Sequence, residues 1–362
     1  MVGTGEEEER VLIPGLPDDV ALDCLARVPL RYHGGLRRVC RRWRELAESP
    51  AFYRRRDRIG AAEDLVFLVQ TLVAPDAREG KGKATEEEGE GEGEGRRRAG
   101  GGGHRRGGGG GWDPATLEPV AEVRVLDPAA GTWRRGAPMG AARSFFACAG
   151  AGARVYAAGG HDRQKNALRA AEAYDVAADE WAAVAAMGEE RDECQGAAAA
   201  GGRFWAVSGY GTERQGRFDA GAEWYDEGAG EWTKEEGMWD PAAASAAADA
   251  EDGSGGAAAA CCVGVAGRVW SVECGRRGVR EYEGRGKGWR AVAPAPEGMR
   301  SSPRAAALGG DGGGERVFVM GAAEEGGGHR AWVLHVATAK WTRVETPPGF
   351  SGFAYSAAAL RL

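Results

Sequence analysis

The 362-residue chain has no run approaching the roughly 18 to 20 apolar residues that a membrane helix needs. Its start, MVGTGEEEER, is acidic where a signal peptide would be basic and then apolar, so export is not expected. Cysteine is scarce: Cys24, Cys40, Cys148, Cys194, Cys261, Cys262 and Cys274 are odd in number and form no C-x-x-C pair. That pattern fits reduced thiols and a place in cytoplasm and nucleus rather than a secreted disulfide framework. The five histidines, His33, His104, His161, His329 and His335, form no H-E-x-x-H motif and no Cys/His cluster, and the glycine runs lack the order of a phosphate loop. No catalytic residue, metal or cofactor is therefore expected. Large apolar side chains are also few, because Gly (61 residues) and Ala supply much of the bulk. A Leu-rich helical bundle is disfavoured, and the 12 Trp become the main core material. Neither sign of charge dominates: 47 basic against 54 acidic residues argue against chain-wide attraction to nucleic acid or anionic membrane.

What is present divides by composition. An acidic tail (1–10) precedes an Arg-rich helical stretch (11–58), then a linker with one apolar strand (59–75), a low-complexity block (76–111) and a Gly/Ala/Trp-rich remainder (112–362). The block has Gly at 15 of its 36 positions and eight acidic against eight basic side chains. With almost nothing apolar to offset its ordering entropy, it is expected to be disordered.

In the helical stretch, Pro17, Asp18 and Asp19 suit a helix start and Pro29 a stop. The spacing of Leu36, Val39, Cys40, Trp43, Leu46 and Ala47 predicts a second helix to about Glu48, with one apolar stripe. Arg37, Arg38, Arg41, Arg42 and Arg44 take its other faces, and with Arg54 to Arg56 and Arg58 they read as a solvated basic surface, not a nucleic-acid-binding helix. The segment LIPGLPDDVALDCLARVPLRYHGGLRRVCRRWRELAESPAFYRRR resembles the F-box, a three-helix module. It carries that family's Leu-Pro start at Leu16-Pro17, then Val20, Leu25 and Val39-Cys40-x-x-Trp43, and departs from it at Gly34-Gly35.

The remainder is periodic. Trp133, Trp181, Trp232, Trp289 and Trp341 are separated by 48, 51, 57 and 52 residues, and each has a large apolar residue seven positions earlier: Leu126, Tyr174, Tyr225, Tyr282 and Leu334. The intervening residues predict a strand, a tight turn and a strand. Upstream of the last four, ARVYAAGG, GRFWAVSG, GRVWSVECG and ERVFVMG alternate apolar and small residues and end in glycine, as half-buried strands do. Roughly fifty residues, four strands and this glycine-aromatic pattern resemble the kelch repeat, one blade of a β-propeller. The expected fold is mainly β: a kelch propeller of five blades, or six with one incomplete, behind a small α-helical F-box. Closure is expected through pairing of Phe353–Leu360 with Leu65–Gln70.

An F-box joined to kelch repeats is similar to plant substrate receptors of Skp-cullin-F-box ubiquitin ligases. The resemblance implies a Skp-type adaptor, a cullin reached through it, and a protein target on the propeller, with no bond chemistry in the chain itself. Leu16, Pro17, Val20, Leu25, Val39, Cys40, Trp43 and Leu46 become the candidate adaptor contacts. The stretch from Ala142 to Trp181, with Glu190–Cys194 and Gly209–Glu213, resembles the subgroup that marks phenylalanine ammonia-lyase, or type-B response regulators, for degradation. Arg143, Ser144, His161, Arg191, Asp192 and Tyr210 lie next to strand ends, where blade loops line one mouth, and are the candidate target contacts. The alternatives are a kelch-type metal-dependent enzyme acting on small molecules, and a protein-binding scaffold that does not lead to degradation.

Overall fold

The computed structural model describes the chain outside residues 1–10, 72–110, 114–115, 117, 129, 240–259, 275–277, 285, 310–314, 324–327 and 348. The acidic tail and all of the low-complexity block but Gly111 therefore lie outside the described residues.

The helical unit comprises α1 (Asp18–Ala26), α2 (His33–Val39), α3 (Arg41–Glu48) and α4 (Pro50–Arg58). Pro17 precedes α1, whose first turn carries Asp18 and Asp19, as the sequence suggested. The single helix expected from Leu36 to Glu48 is in fact two. Cys40 is fully extended (φ −156°, ψ 171°) and acts as the cap of α3, with Sγ accepting from the Trp43 N–H. An apolar stripe at helical spacing continues across the break, which is why sequence periodicity does not reveal it. Gly34 and Gly35 fall inside α2.

Among the described residues four complete antiparallel blades follow, each built in chain order from the central strand outward. They span β6–β9 (Ala147–Ala151, Arg154–Ala158, Ala171–Asp175, Glu180–Val184), β10–β13 (Gln195–Ala199, Arg203–Val207, Ala222–Asp226, Glu231–Glu235), β14–β17 (Ala260–Val265, Arg268–Glu273, Val279–Tyr282, Trp289–Ala293) and β18–β21 (Met299–Leu308, Arg316–Ala323, His329–His335, Lys340–Val344). Two-stranded pieces complete the described sheet: β1 (Asp64–Gln70) with β22 (Ala354–Arg361), β2 (Gly111–Trp112) with β3 (Pro119–Val120), and β4 (Val123–Asp127) with β5 (Thr132–Gly136). The expected latch between the chain's ends is thus present, running from Asp64 opposite Arg361 to Gln70 opposite Ala354.

The seven-residue spacing has a direct structural meaning. Leu126 faces Trp133, Tyr174 faces Trp181, Tyr225 faces Trp232, Tyr282 faces Trp289 and Leu334 faces Trp341, each as a cross-strand pair of the outer hairpin. In the four complete blades the indole also reaches sideways. Trp181 Nε1 donates to the Ala137 carbonyl (3.0 Å), Trp232 to Ala185 (2.6 Å), Trp289 to Met238 (2.5 Å) and Trp341 to Pro294 (2.9 Å). Every acceptor lies just beyond the outer strand of the preceding unit. Trp133, by contrast, is 53% exposed.

The first strands of neighbouring blades pack side by side around the axis, and their sequences are short on bulk: ACAGA, QGAAA and CCVGV. A Cβ on Gly264 would overlap the Ala198 carbonyl, and one on Gly196 would overlap the Cys148 backbone, so these two positions admit no side chain. Gly150, at the position of β6 equivalent to Gly264, would place a Cβ 3.9 Å from its nearest neighbour. Gly264→Ala is therefore expected to destabilise by about 1–3 kcal/mol in denaturant unfolding, while Gly150→Ala changes stability by less than about 1 kcal/mol. Equal effects of the two would contradict the tight inner-strand packing.

Candidate functional site

In the helical unit the side chains named as adaptor contacts separate into two groups. Leu25 is buried with Ala26 and Phe52, and Trp43 and Leu46 pack against that cluster. Trp43 is further fixed by its indole N–H, which donates to the Leu12 carbonyl at 2.7 Å. These three form core, and burial removes Leu25 as an adaptor contact. Leu16 (37% exposed), Val20 (43%) and Val39 (60%) remain outside, as do Pro17 and Cys40. Asp18, between Leu16 and Val20, accepts from Arg42 at 2.8 Å, just beyond Cys40, while its other oxygen accepts from the Leu12 N–H. Those bonds hold the Asp18 carboxyl below the usual carboxylate range.

The basic surface is less open than the sequence suggested. Arg41 pairs with Glu45 and Arg55 with Asp23. Arg56 is not solvated at all: it is fully buried, donating to the carbonyls of Ala26 (2.7 Å), Val28 (2.6 Å) and Ala61 (2.8 Å) and to Glu63 Oε2 (2.9 Å). Glu63 in turn exchanges backbone hydrogen bonds with Leu362. One guanidinium thus ties the helices to the paired chain ends.

The six residues expected to touch a target at the mouth are all buried, between 0% and 7% exposed. Arg143 donates to the Gly159 and Ala170 carbonyls and to Glu172 Oε1 (2.6 Å). Arg191 repeats this one blade on, with Ser208, Gly221 and Glu223 Oε1 (3.1 Å). Ser144 bonds the Gly111 carbonyl. His161 Nδ1 sits 2.9 Å from Asp192, and Tyr210 donates to Glu193 Oε1 at 2.9 Å. Each side chain spends its polar atoms inside the protein, so the expectation of direct target contact is corrected to a framework role. Exposed groups around them include Phe145, stacked on His161, Lys165, whose Nζ lies 2.9 Å from His161 Nε2, and Glu193. Burial pushes the Glu193 carboxyl and the Tyr210 hydroxyl up.

Glu172 and Glu223 are the residues that sequence reasoning missed. Each also accepts two backbone N–H groups, Gly140 and Ala141 for Glu172, Gly188 and Glu189 for Glu223. The signal was available: AEAYD and AEWYD each put Glu two residues before the repeated Tyr, in the same blades that carry the paired Arg. At the equivalent place in the next blade the charge is reversed, and Arg280 bonds Glu273. Among the described residues, no three His, Cys, Asp or Glu side chains converge as metal ligands, and no helix is long and apolar enough to cross a membrane. Burial pushes the Cys194 thiol up to about 11 and Cys261 up to about 12, which suppresses thiolate at neutral pH. An open recess of about 600 Å³ lies outside the seam between β5 and β9, lined by Pro138, Glu172, Trp181 and Val184 among others.

Comparison with known proteins accords with this geometry. Residues 13–55 match the F-box domain and residues 142–188 the Kelch motif. The chain is 36% identical to the F-box/kelch-repeat protein SKIP20 of Arabidopsis thaliana, over 96% of each protein. It is 40% identical to the F-box/kelch-repeat protein At2g44130 of the same plant, over 63% of this chain and 66% of the relative, and 33% identical to At1g15670 over 65% and 74%. The chain belongs to the plant F-box/kelch-repeat family. Its F-box implies a Skp-type adaptor as partner, and its kelch repeats imply a bound protein substrate.

The paired charges can be tested directly. Glu223→Ala leaves buried Arg191 with only the more distant carboxylates of Glu189 (3.5 Å) and Asp219 (3.7 Å) and orphans two N–H groups, and should cost about 3–5 kcal/mol in denaturant unfolding. Because the two groups form one network, Arg191→Met with Glu223→Met should cost clearly less than the sum of the single changes.

Proposed function

We propose that the chain is the substrate-recognition subunit of a Skp-cullin-F-box ubiquitin ligase acting in cytoplasm and nucleus. The observation that carries this reading is the division within the helical unit: Leu25, Phe52 and Trp43 already close its core, yet Leu16, Val20 and Val39 stay exposed, on segments that the Arg42–Asp18 pair joins. A small unit that leaves large apolar groups in water offers them to a partner. With the helices engaged there, a protein held by the propeller is kept near a ubiquitin-loaded enzyme, and the rise in effective concentration drives transfer without chemistry in this chain.

The propeller is read as five-bladed, with β22, β1, β4 and β5 supplying the fifth blade in place of one continuous repeat. The packing of Val66 and Leu68 against the last complete blade, and of Val123 and Val125 against the first, supports this. For the target, phenylalanine ammonia-lyase is the first protein to test and a type-B response regulator the second, on the strength of the sequence likeness over Ala142–Trp181. Much of that likeness lies in residues that build seams, so it supports a shared propeller more strongly than a shared target.

Titration with a purified plant Skp adaptor tests the first half. The intact chain should bind at micromolar concentration or tighter, and Val20→Asp with Val39→Asp should weaken binding at least roughly 100-fold, the cost of placing charge in an apolar contact. Since neither side chain belongs to the core, the thermal midpoint should move by no more than about 2 °C. Absence of a complex with the intact chain, or unchanged binding by the double variant, would sink the receptor reading.

A further inference from the structure

Among the described residues three arginines are fully buried, and each meets a carboxylate: Arg56 with Glu63, Arg143 with Glu172, Arg191 with Glu223. Arg304 does not. It stands on β18, the central strand of the last complete blade, and burial pushes its guanidinium down. Its Nε donates to the Tyr355 carbonyl at 2.7 Å and its Nη1 to the Pro303 carbonyl at 2.8 Å. No carboxylate of the described residues faces it.

Its place in the repeat shows that the fold does not require this charge. Arg143, Arg191 and Arg300 occupy the same position in three blades, and two residues later Phe145 (φ 54°), Glu193 (φ 52°) and Ser302 (φ 52°) share a left-handed backbone. Two residues further stand Ala147, Gln195 and Arg304. Gln195 does the bridging job without charge: its amide donates to the Ala260 carbonyl and accepts from the Cys262 N–H of the neighbouring central strand. Arg304 performs the same bridging onto β22 and keeps a positive charge besides.

A second group faces this place. His329, at the start of β20, is 7% exposed, and its Nε2 is buried with no hydrogen-bond partner. Phe353 joins the two: its ring centroid lies 5.9 Å from the Arg304 guanidinium carbon and 5.2 Å from the His329 ring. Arg304 is only partly buried. A desolvated cation with no counter-charge among the described residues, near an imidazole nitrogen with no partner among them, is the arrangement of a half-built anion site.

We propose that Arg304 and His329, at the seam between the last complete blade and the paired chain ends, form a subsite for a carboxylate, either an acidic side chain of a bound polypeptide or a small free carboxylate. The planar guanidinium offers the directional donors that a carboxylate takes, His329 in its Nε2–H tautomer adds a further donor, and Phe353 covers one side. This goes beyond the receptor reading and does not depend on it, since the ligand meets the propeller whether or not the helices hold an adaptor.

The test uses the whole chain and three probes at matched ionic strength: glutarate, the blocked tripeptide acetyl-Ala-Glu-Ala-amide, and its Gln counterpart. Calorimetric binding and the shift in thermal midpoint are both read, because a ligand specific to the folded state raises that midpoint. At least one carboxylate probe should bind where chloride and the Gln peptide do not. Glutarate alone would mark a free small carboxylate, and the Glu peptide a polypeptide side chain. Arg304→Gln copies the Gln195 arrangement, so it should fold with an unchanged or higher midpoint and bind at least roughly tenfold more weakly, the loss of one charge-assisted contact. His329→Asn, which leaves the bond to Tyr355 in place, should weaken binding as well. No carboxylate binding above chloride, or binding retained in Arg304→Gln, would overturn the proposal.

Discussion

The structure depends on a bond that crosses from one repeat to the next. A twisted four-stranded blade has two apolar faces and cannot bury both alone. The tryptophan of each complete blade meets that problem twice, packing on its cross-strand Tyr or Leu within the hairpin and donating its indole N–H to the loop leaving the preceding unit. Because the same side chain fixes the hairpin and the seam, the seven-residue spacing from Tyr or Leu to tryptophan is invariant while the tryptophan-to-tryptophan spacing varies from 48 to 57 residues. Buried Arg–Glu pairs add a polar seam inside this apolar one. A charge removed from water is costly unless it is fully bonded, and Glu172 and Glu223 are bonded by both an arginine and two backbone N–H groups.

That logic also explains how much could be read in advance. The hairpins, the four complete blades and the latch between the chain ends were legible because each is written as a fixed spacing or an alternation of residue sizes, and backbone pairing preserves such spacing. The break at Cys40 was not, since Leu36, Val39, Trp43 and Leu46 keep helical spacing through an extended residue. The mouth residues were placed correctly in the repeat but misjudged in role. Arg143 and Arg191 precede first strands, which looks like a loop, whereas their partners Glu172 and Glu223 lie two strands away. A sequence shows the charge and its position, but whether a charge faces water is settled by a partner from another strand.

The helical unit shows the reverse separation. Of eight side chains in one apolar pattern, the fold uses Leu25, Trp43 and Leu46 for its own closure and leaves Leu16, Val20 and Val39 outside. Pattern alone could not make that division, because both roles call for the same residue types. What makes it is the Arg42–Asp18 pair and the Trp43–Leu12 bond, which pull the start of α3 against the start of α1 and so fix which faces turn inward. Arg56 carries the same order into the propeller by joining the last helix to Glu63, next to the paired termini.

The centre of the ring imposes the last constraint. Central strands that lie this close admit no Cβ at Gly196 or Gly264, each of which packs on the backbone of the neighbouring central strand. A long charged residue there is exceptional and has to lie along a seam rather than project across the axis. Arg304 does so by bonding the next strand's backbone, the course Gln195 takes without a charge. Since a neutral side chain already performs that bridging elsewhere in the same ring, seam geometry accounts for the bond but not for the guanidinium. A cation with no counter-charge among the described residues lowers stability, and proteins retain such groups chiefly where binding needs them. The departure from the repeat, more than the repeat itself, is what distinguishes this position from its equivalents in the other blades.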